Sequence, residues 1–138
     1  MKSFFKKIII LSILSLPNTV NADFFEDITY KIENNSKRLS YGVSVTDMDQ
    51  DGKYEFLVTG FGYANLALSY DNGKLINIAN KNVFSDKFRK TIGVAACDVD
   101  RDGYEEIYFL NTDTYSGKKK YSDRLIDFEE NKFLDMFE

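Results

Sequence analysis

The chain has 138 residues, enough for one small domain, with 18 basic and 22 acidic residues and a formal net charge of −4. That acidic balance argues against nucleic acid and anionic membranes as partners, because their phosphates call for a basic face. Histidine is absent and cysteine occurs once, at Cys97, which excludes an internal disulfide, Ser–His and Cys–His catalysis, and a zinc or copper centre of the usual kind.

The first residues read "MKSFFKKIIILSILSLPNTVNA": a basic front at Lys2, Lys6 and Lys7, an apolar run over 8–16, and a small-residue end at Val20, Asn21 and Ala22. This order predicts a secretory signal peptide over 1–22, cleaved after Ala22, and a secreted or periplasmic product. The apolar run is far shorter than the ~20 residues that cross a bilayer, so no membrane span is expected after its removal. Cleavage would take away three lysines and no acid, leaving 116 residues with fifteen bases against 22 acids, a net −7. A small exported domain without disulfides needs another staple, and a bound metal is one. Cys97 itself reads as a small buried hydrophobe in a strand.

After an acidic lead-in at 23–40, an internal repeat dominates. "YGVSVTDMDQDGKYEFLVTG" (41–60) aligns with "IGVAACDVDRDGYEEIYFLN" (92–111) at a constant offset of 51. Gly42 meets Gly93, Val43 meets Val94, the three aspartates of each loop coincide, and Glu55 meets Glu106. In the first copy, Val43 and Val45 alternate with Ser44, "EFLVTG" follows the acidic loop, and "NLALSYDNGKLINIA" holds two apolar runs joined by Asp71-Asn72-Gly73. Asn-Gly between alternating runs is a strong hairpin signal, since both turn residues take positive φ. Four short strands are therefore expected within 41–79.

The second copy, 91–137, has the same plan in "TIGVAAC", "EIYFLN", "RLIDF" and "KFLDMF", with Glu129-Glu130-Asn131 at the last turn. Its hairpin aligns at an offset of 58, so the middle loop "TDTYSGKKKYSD" is seven residues longer than its counterpart, and its lysines read as a solvated face. No stretch of the mature chain carries helical periodicity. Four-stranded units at such a period are β-propeller blades, so the fold class is all-β with two four-stranded propeller-type blades. Propellers close with about four to eight blades. Two blades leave two outer faces uncovered, which predicts self-association or an incomplete propeller.

The loops carry the chemistry. Asp47, Asp49 and Asp51 occupy positions 1, 3 and 5, Gly52 position 6, Lys53 position 7 and Glu55 position 9; in the second loop these are Asp98, Asp100, Asp102, Gly103, Tyr104 and Glu106. Alternate hard oxygens can wrap one cation, with the backbone carbonyl of Lys53 or Tyr104 at position 7 and glycine allowing the sharp turn. A cage so rich in protein ligands suits Ca²⁺ better than Mg²⁺, which keeps its waters. Two calcium sites are expected. An EF-hand is excluded because position 12 is Val58 or Phe109, each in a strand-like run. The plain alternative is an Asp/Gly-rich turn that binds nothing.

At these residues the chain resembles FG-GAP (VCBS-type) repeat proteins, and more closely the cartilage acidic protein (ASPIC-containing) family. The residues that carry the resemblance are "YGVSVTDMDQDG", "GFGYANLALSYDNGKLINIA", "IGVAACDVDRDGYEEIYFLNT" and "YSDRLIDFEENKF". It implies a secreted calcium-binding propeller with the metal at the loop positions named above. It also implies more blades than two and an ASPIC region that this sequence lacks, and "GFGYA" at 60–64 only loosely echoes the FG-GAP phrase.

The expected function is a non-enzymatic extracellular module, structural or adhesive, with a protein or glycan partner. The competing readings are a hydrolase or other enzyme fragment using carboxylates such as Glu105, Glu106, Glu129 and Glu130, and a non-functional truncated piece of a longer propeller. Against catalysis, adjacent strand residues face opposite ways, and Glu106 is already claimed as a ligand.

Overall fold

The computed structural model describes residues 25–79, 84, 86–112, 120–129 and 132–137, and the signal peptide expected at 1–22 lies outside them. Among the described residues, eight strands form two antiparallel meanders. β1 (Val43–Thr46), β2 (Glu55–Val58), β3 (Leu66–Asp71) and β4 (Lys74–Asn77) pair in sequence order. So do β5 (Lys90–Cys97), β6 (Glu106–Thr112), β7 (Arg124–Glu129) and β8 (Lys132–Asp135). This is the blade architecture of a propeller.

Local chemistry explains most of this order. In the β3–β4 hairpin Asp71 pairs with Lys74, so Asn72 and Gly73 alone make the turn, with φ of 47° and 82°. Both residue types tolerate the left-handed region that such a turn requires. The β7–β8 hairpin closes on the pair Glu129–Lys132. Its turn residues, 130 and 131, lie outside the described residues, as does most of the long β6–β7 loop.

The two sheets stack face to face, and pairing along each ladder shows which residues look inward. From the first sheet Leu57 and Ala67 point at the second, joined by Met48 from the first acidic loop. Ile107, Phe109 and Ile126 answer from β6 and β7. Phe84, from the connection between the sheets, fills the remaining space and meets Phe109 edge to face, with ring centroids 5.9 Å apart. Removing a ring of this kind costs about 3–5 kcal/mol.

Val43 and Val45 lie on the opposite face of β1 and are exposed, while Thr46 is fully buried. Alternation predicts two faces, and here the polar one is turned inward. Cys97 departs from the sequence reading in the same way. It ends β5 on the outer face of the second sheet and is exposed, because its partner Glu106 belongs to that face and not to the core side.

At the centre of the stack the backbones of the first strands of each sheet almost touch. A Cβ on Gly42 would lie 3.1 Å from the Gly93 Cα and 3.2 Å from the Val94 nitrogen, so Gly42 is what allows the close approach. A backbone ladder continues beside it, from the Thr91 N–H to the Gly60 carbonyl (3.3 Å) and from the Gly62 N–H to the Arg89 carbonyl (3.1 Å). The lead-in segment is ordered too. After a 3₁₀ turn at Thr29–Lys31, Ile32 bridges Leu75 in parallel fashion along the edge strand β4, and Arg38 Nη1 donates to the Ala64 carbonyl at 3.0 Å.

A buried ionic clasp joins the sheets at their outer end. Asp86 accepts from Arg124 Nη1 at 2.9 Å and from Asn65 Nδ2 at 3.3 Å, and its carboxylate lies 3.2 Å from Arg89 Nε. Arg124 Nε donates in turn to Asp135. Burial pushes the Asp86 carboxyl up, against the pull of Arg124 and Arg89. A buried charge left without its partner costs about 3–5 kcal/mol, so this cluster fixes how the second sheet sits on the first.

Candidate metal centre

Each acidic loop leaves the first strand of its sheet and returns on the second, so the flanking ladder sets its width. Thr46 pairs with Glu55 and Cys97 with Glu106, placing each glutamate at the mouth of its loop. Inside the loops, position 4 is left-handed although it is not glycine: Gln50 has φ 61° and Arg101 φ 70°. Non-glycine residues adopt this region at a cost, and such strain gathers at functional sites. Gly52 and Gly103 follow with φ 85° and 99°.

The aspartates first organise the loop itself. Asp47 Oδ2 accepts the Gly52 N–H at 3.0 Å, and Asp98 Oδ2 accepts the Gly103 N–H at 3.2 Å. Asp98 Oδ1 also accepts the Arg101 N–H at 2.6 Å, and Asp100 and Asp102 accept the N–H two residues on at 3.0 and 2.8 Å. The glutamates do the same from the far side. Glu55 Oε2 accepts the Met48 N–H at 3.2 Å, and Glu106 Oε2 accepts the Val99 N–H at 2.6 Å.

Asp47 Oδ1, Asp49 Oδ1, Glu55 Oε1 and Glu106 Oε1 are buried with no hydrogen-bond partner. A buried unpaired acceptor costs roughly 1–3 kcal/mol, more when charged, so native structures rarely leave several together. Carboxylate oxygens of Asp47, Asp49 and Glu55 lie within 4.8 Å of one another, as do those of Asp98, Asp100, Asp102 and Glu106. Burial, reinforced by the charges of Asp51 and Asp47, pushes Asp49 up, and burial pushes Glu55 up. Like charges this close repel, which a positive charge among them would relieve. A hard divalent cation fits this all-oxygen donor set.

The loops differ in one respect. Asp102 stands with its cluster, whereas Asp51 turns away and pairs with Lys53 Nζ at 2.9 Å, an exposed contact that lowers the Asp51 carboxyl. The position-5 carboxylate of the first loop is therefore held by the side chain of position 7. Lys53 and Tyr104 keep the sequence positions whose carbonyls the loop pattern assigns to a cation. Of the carboxylates considered for catalysis, Glu106 belongs to this cluster and Glu105 is exposed beside it. The side chains of Glu129 and Glu130 lie outside the description.

Sequence comparison agrees with this geometry. Residues 47–109, from the first aspartate of one loop into β6, match the FG-GAP-like repeat family. The chain is 45% identical to cartilage acidic protein 1 of Xenopus tropicalis over 114 residues, and 44% and 43% identical to the human and mouse proteins over 113. These alignments cover 75–76% of this chain but only 17–18% of the relatives, so it spans under a fifth of their length. Among the described residues no helix is long and apolar enough to cross a membrane. Residues 47–109 thus form an FG-GAP-like repeat segment, in a chain that resembles part of cartilage acidic protein 1.

Proposed function

We propose that the chain is an exported, non-enzymatic structural module that binds two Ca²⁺ ions, one in each DxDxDGxxE loop. The observation that carries this reading is the set of buried, unpartnered carboxylate oxygens, above all Glu55 Oε1 and Glu106 Oε1, facing the loop aspartates. Asp47, Asp49 and Glu55 would hold one ion and Asp98, Asp100, Asp102 and Glu106 the other. The carbonyls of Lys53 and Tyr104 complete the sets, and Asp51 joins once released from Lys53. The ion would supply positive charge where folding has concentrated negative charge, and so tie β1 to β2 and β5 to β6.

Extracellular sites of this kind bind with a Kd of roughly 10⁻⁴–10⁻³ M, which a cytosol poor in calcium leaves empty and the exterior fills. Export therefore belongs to the same proposal, resting on the signal-like residues 1–22. The name of the relatives, cartilage acidic protein, accords with an acidic module of an extracellular matrix. A protein or glycan would be the partner that such a module presents itself to. The absence of histidine supports a binding role over a catalytic one.

Isothermal titration of the exported chain should approach two ions per chain. Asp49→Ala and Asp100→Ala should each remove one. Unchanged stoichiometry in both variants would overturn the assignment.

A further inference from the structure

The two copies of the repeat are equivalent in sequence but not in environment. Met48 is 2% exposed in the core, whereas Val99, its counterpart 51 residues on, is 61% exposed. On the strands, Leu57 and Ala67 are buried against the second sheet, while their counterparts Tyr108 and Leu125 are only half-buried and Leu110 and Leu134 on the same face are exposed. The reverse holds on the other side. Ile107 and Phe109 are buried and Val94 packs on the core, yet their counterparts Phe56 and Val43 are exposed and Val58 is half-buried.

The face that the first sheet buries is thus the face that the second sheet exposes, and the face that the second buries is the one that the first exposes along β1 and β2. Leu68 and Leu75, on β3 and β4, are buried beside the lead-in segment. We propose that these two outer faces bind each other between copies of the chain, repeating head to tail the contact already made within it.

Three features support a second copy as the occupant. The outer face of the second sheet displays Tyr108, Leu110 and Val99 where the inner face of the first uses Leu57, Thr59 and Met48, so it offers an apolar surface of the same layout. The close approach can recur, because among the described residues Gly93 meets Leu110 of its own sheet on its outward side, at 3.6 Å, and Gly42 of the next copy can lie there as Gly93 lies on Gly42 within the chain. The inter-sheet hydrogen bond from Gln50 Nε2 to the Phe128 carbonyl, 3.1 Å, has its counterpart pair in Arg101 and the carbonyl of Tyr70, a donor and an acceptor on the two outer faces.

The contact is heterologous, joining different faces, so it propagates until the rotation closes a ring. Propellers close at about four to eight blades, so two-sheet chains close at about two to four copies.

Light scattering during gel filtration, on the exported chain in calcium, tests this. The expected mass is two to four times that of one chain. Val45→Glu blocks one outer face and Leu110→Glu the other, and each variant should run as a monomer. Mixed together they should form a one-to-one dimer, because each retains the face that the other lacks. Circular dichroism verifies that each variant is folded, and Leu134→Glu replaces Leu110→Glu if the latter is not. A wild-type chain that stays monomeric at micromolar concentration overturns the proposal, as does a single variant that keeps the wild-type mass. Folded variants that fail to pair overturn it equally.

Discussion

Replacing Glu55 by glutamine removes one charge and almost no volume, and its effect should reverse sign with calcium. Glu55 is fully buried, with Oε2 on the Met48 N–H and Oε1 unpartnered within reach of Asp47 and Asp49. Without metal, glutamine keeps the acceptor for Met48 and turns an amide N–H₂ toward the orphaned Asp47 Oδ1 or Asp49 Oδ1. Satisfying one buried orphan is worth roughly 1–3 kcal/mol. At about 4 °C per kcal/mol for a domain of this size, Tm in EDTA should rise by about 4–12 °C. With calcium at ~100 times Kd each site adds about 2.7 kcal/mol, so losing the first site should cancel about 10 °C of the calcium-induced rise. Melts of wild type and Glu55→Gln, in EDTA and in saturating Ca²⁺ with equal Mg²⁺ as control, read both signs. A variant destabilised equally in both buffers would make Glu55 an ordinary buried hydrogen-bonding residue and refute the reasoning.

Lys53→Ala frees Asp51 from an exposed ion pair, so calcium affinity at the first loop should tighten modestly in titration while the second loop is unchanged. Asp49 and Glu55 hold protons more tightly when folded than when unfolded, so in EDTA stability should increase as pH falls from neutrality toward the ordinary carboxylate range, and be lost as pH rises through their raised values. Urea midpoints should show a smaller pH slope in Glu55→Gln; an equal slope would place the effect elsewhere. Asp86→Ala removes one carboxylate partner of the buried Arg124 and should cost about 3 kcal/mol in urea unfolding at any calcium concentration, whereas a cost below about 1 kcal/mol would mean the clasp adds little to stability.

What could be read before the fold was known is what neighbouring residues decide among themselves. Asn72-Gly73 makes its turn because those two residues tolerate positive φ, whatever surrounds them. The acidic loops are legible because a pattern of acids on alternate residues is written within nine positions, and its duplication at one offset marks two units of one kind. The outward turn of Val43 and Val45 was not legible. Period-two alternation assigns residues to two faces but not a neighbour to either face, and the neighbour here is a sheet some fifty residues away. Nor could spacing reveal that Lys53 would compete for Asp51, since that depends on which rotamer the exposed lysine finds.

The repeat, the strand order, the hairpin turn and the residues that could face a cation are all written along the chain, because each rests on interactions among residues close in sequence. Which face each sheet buries, why Met48 enters the core while Val99 does not, and how Asp86 gathers Asn65, Arg89 and Arg124 into one buried cluster follow from the packing of the two sheets. Those outcomes depend on contacts between segments 20 to 40 residues apart or more, such as the 38 residues from Asp86 to Arg124. Burial makes each unpaired group there costly, so the arrangement is set by how the two sheets meet and not by either sheet alone.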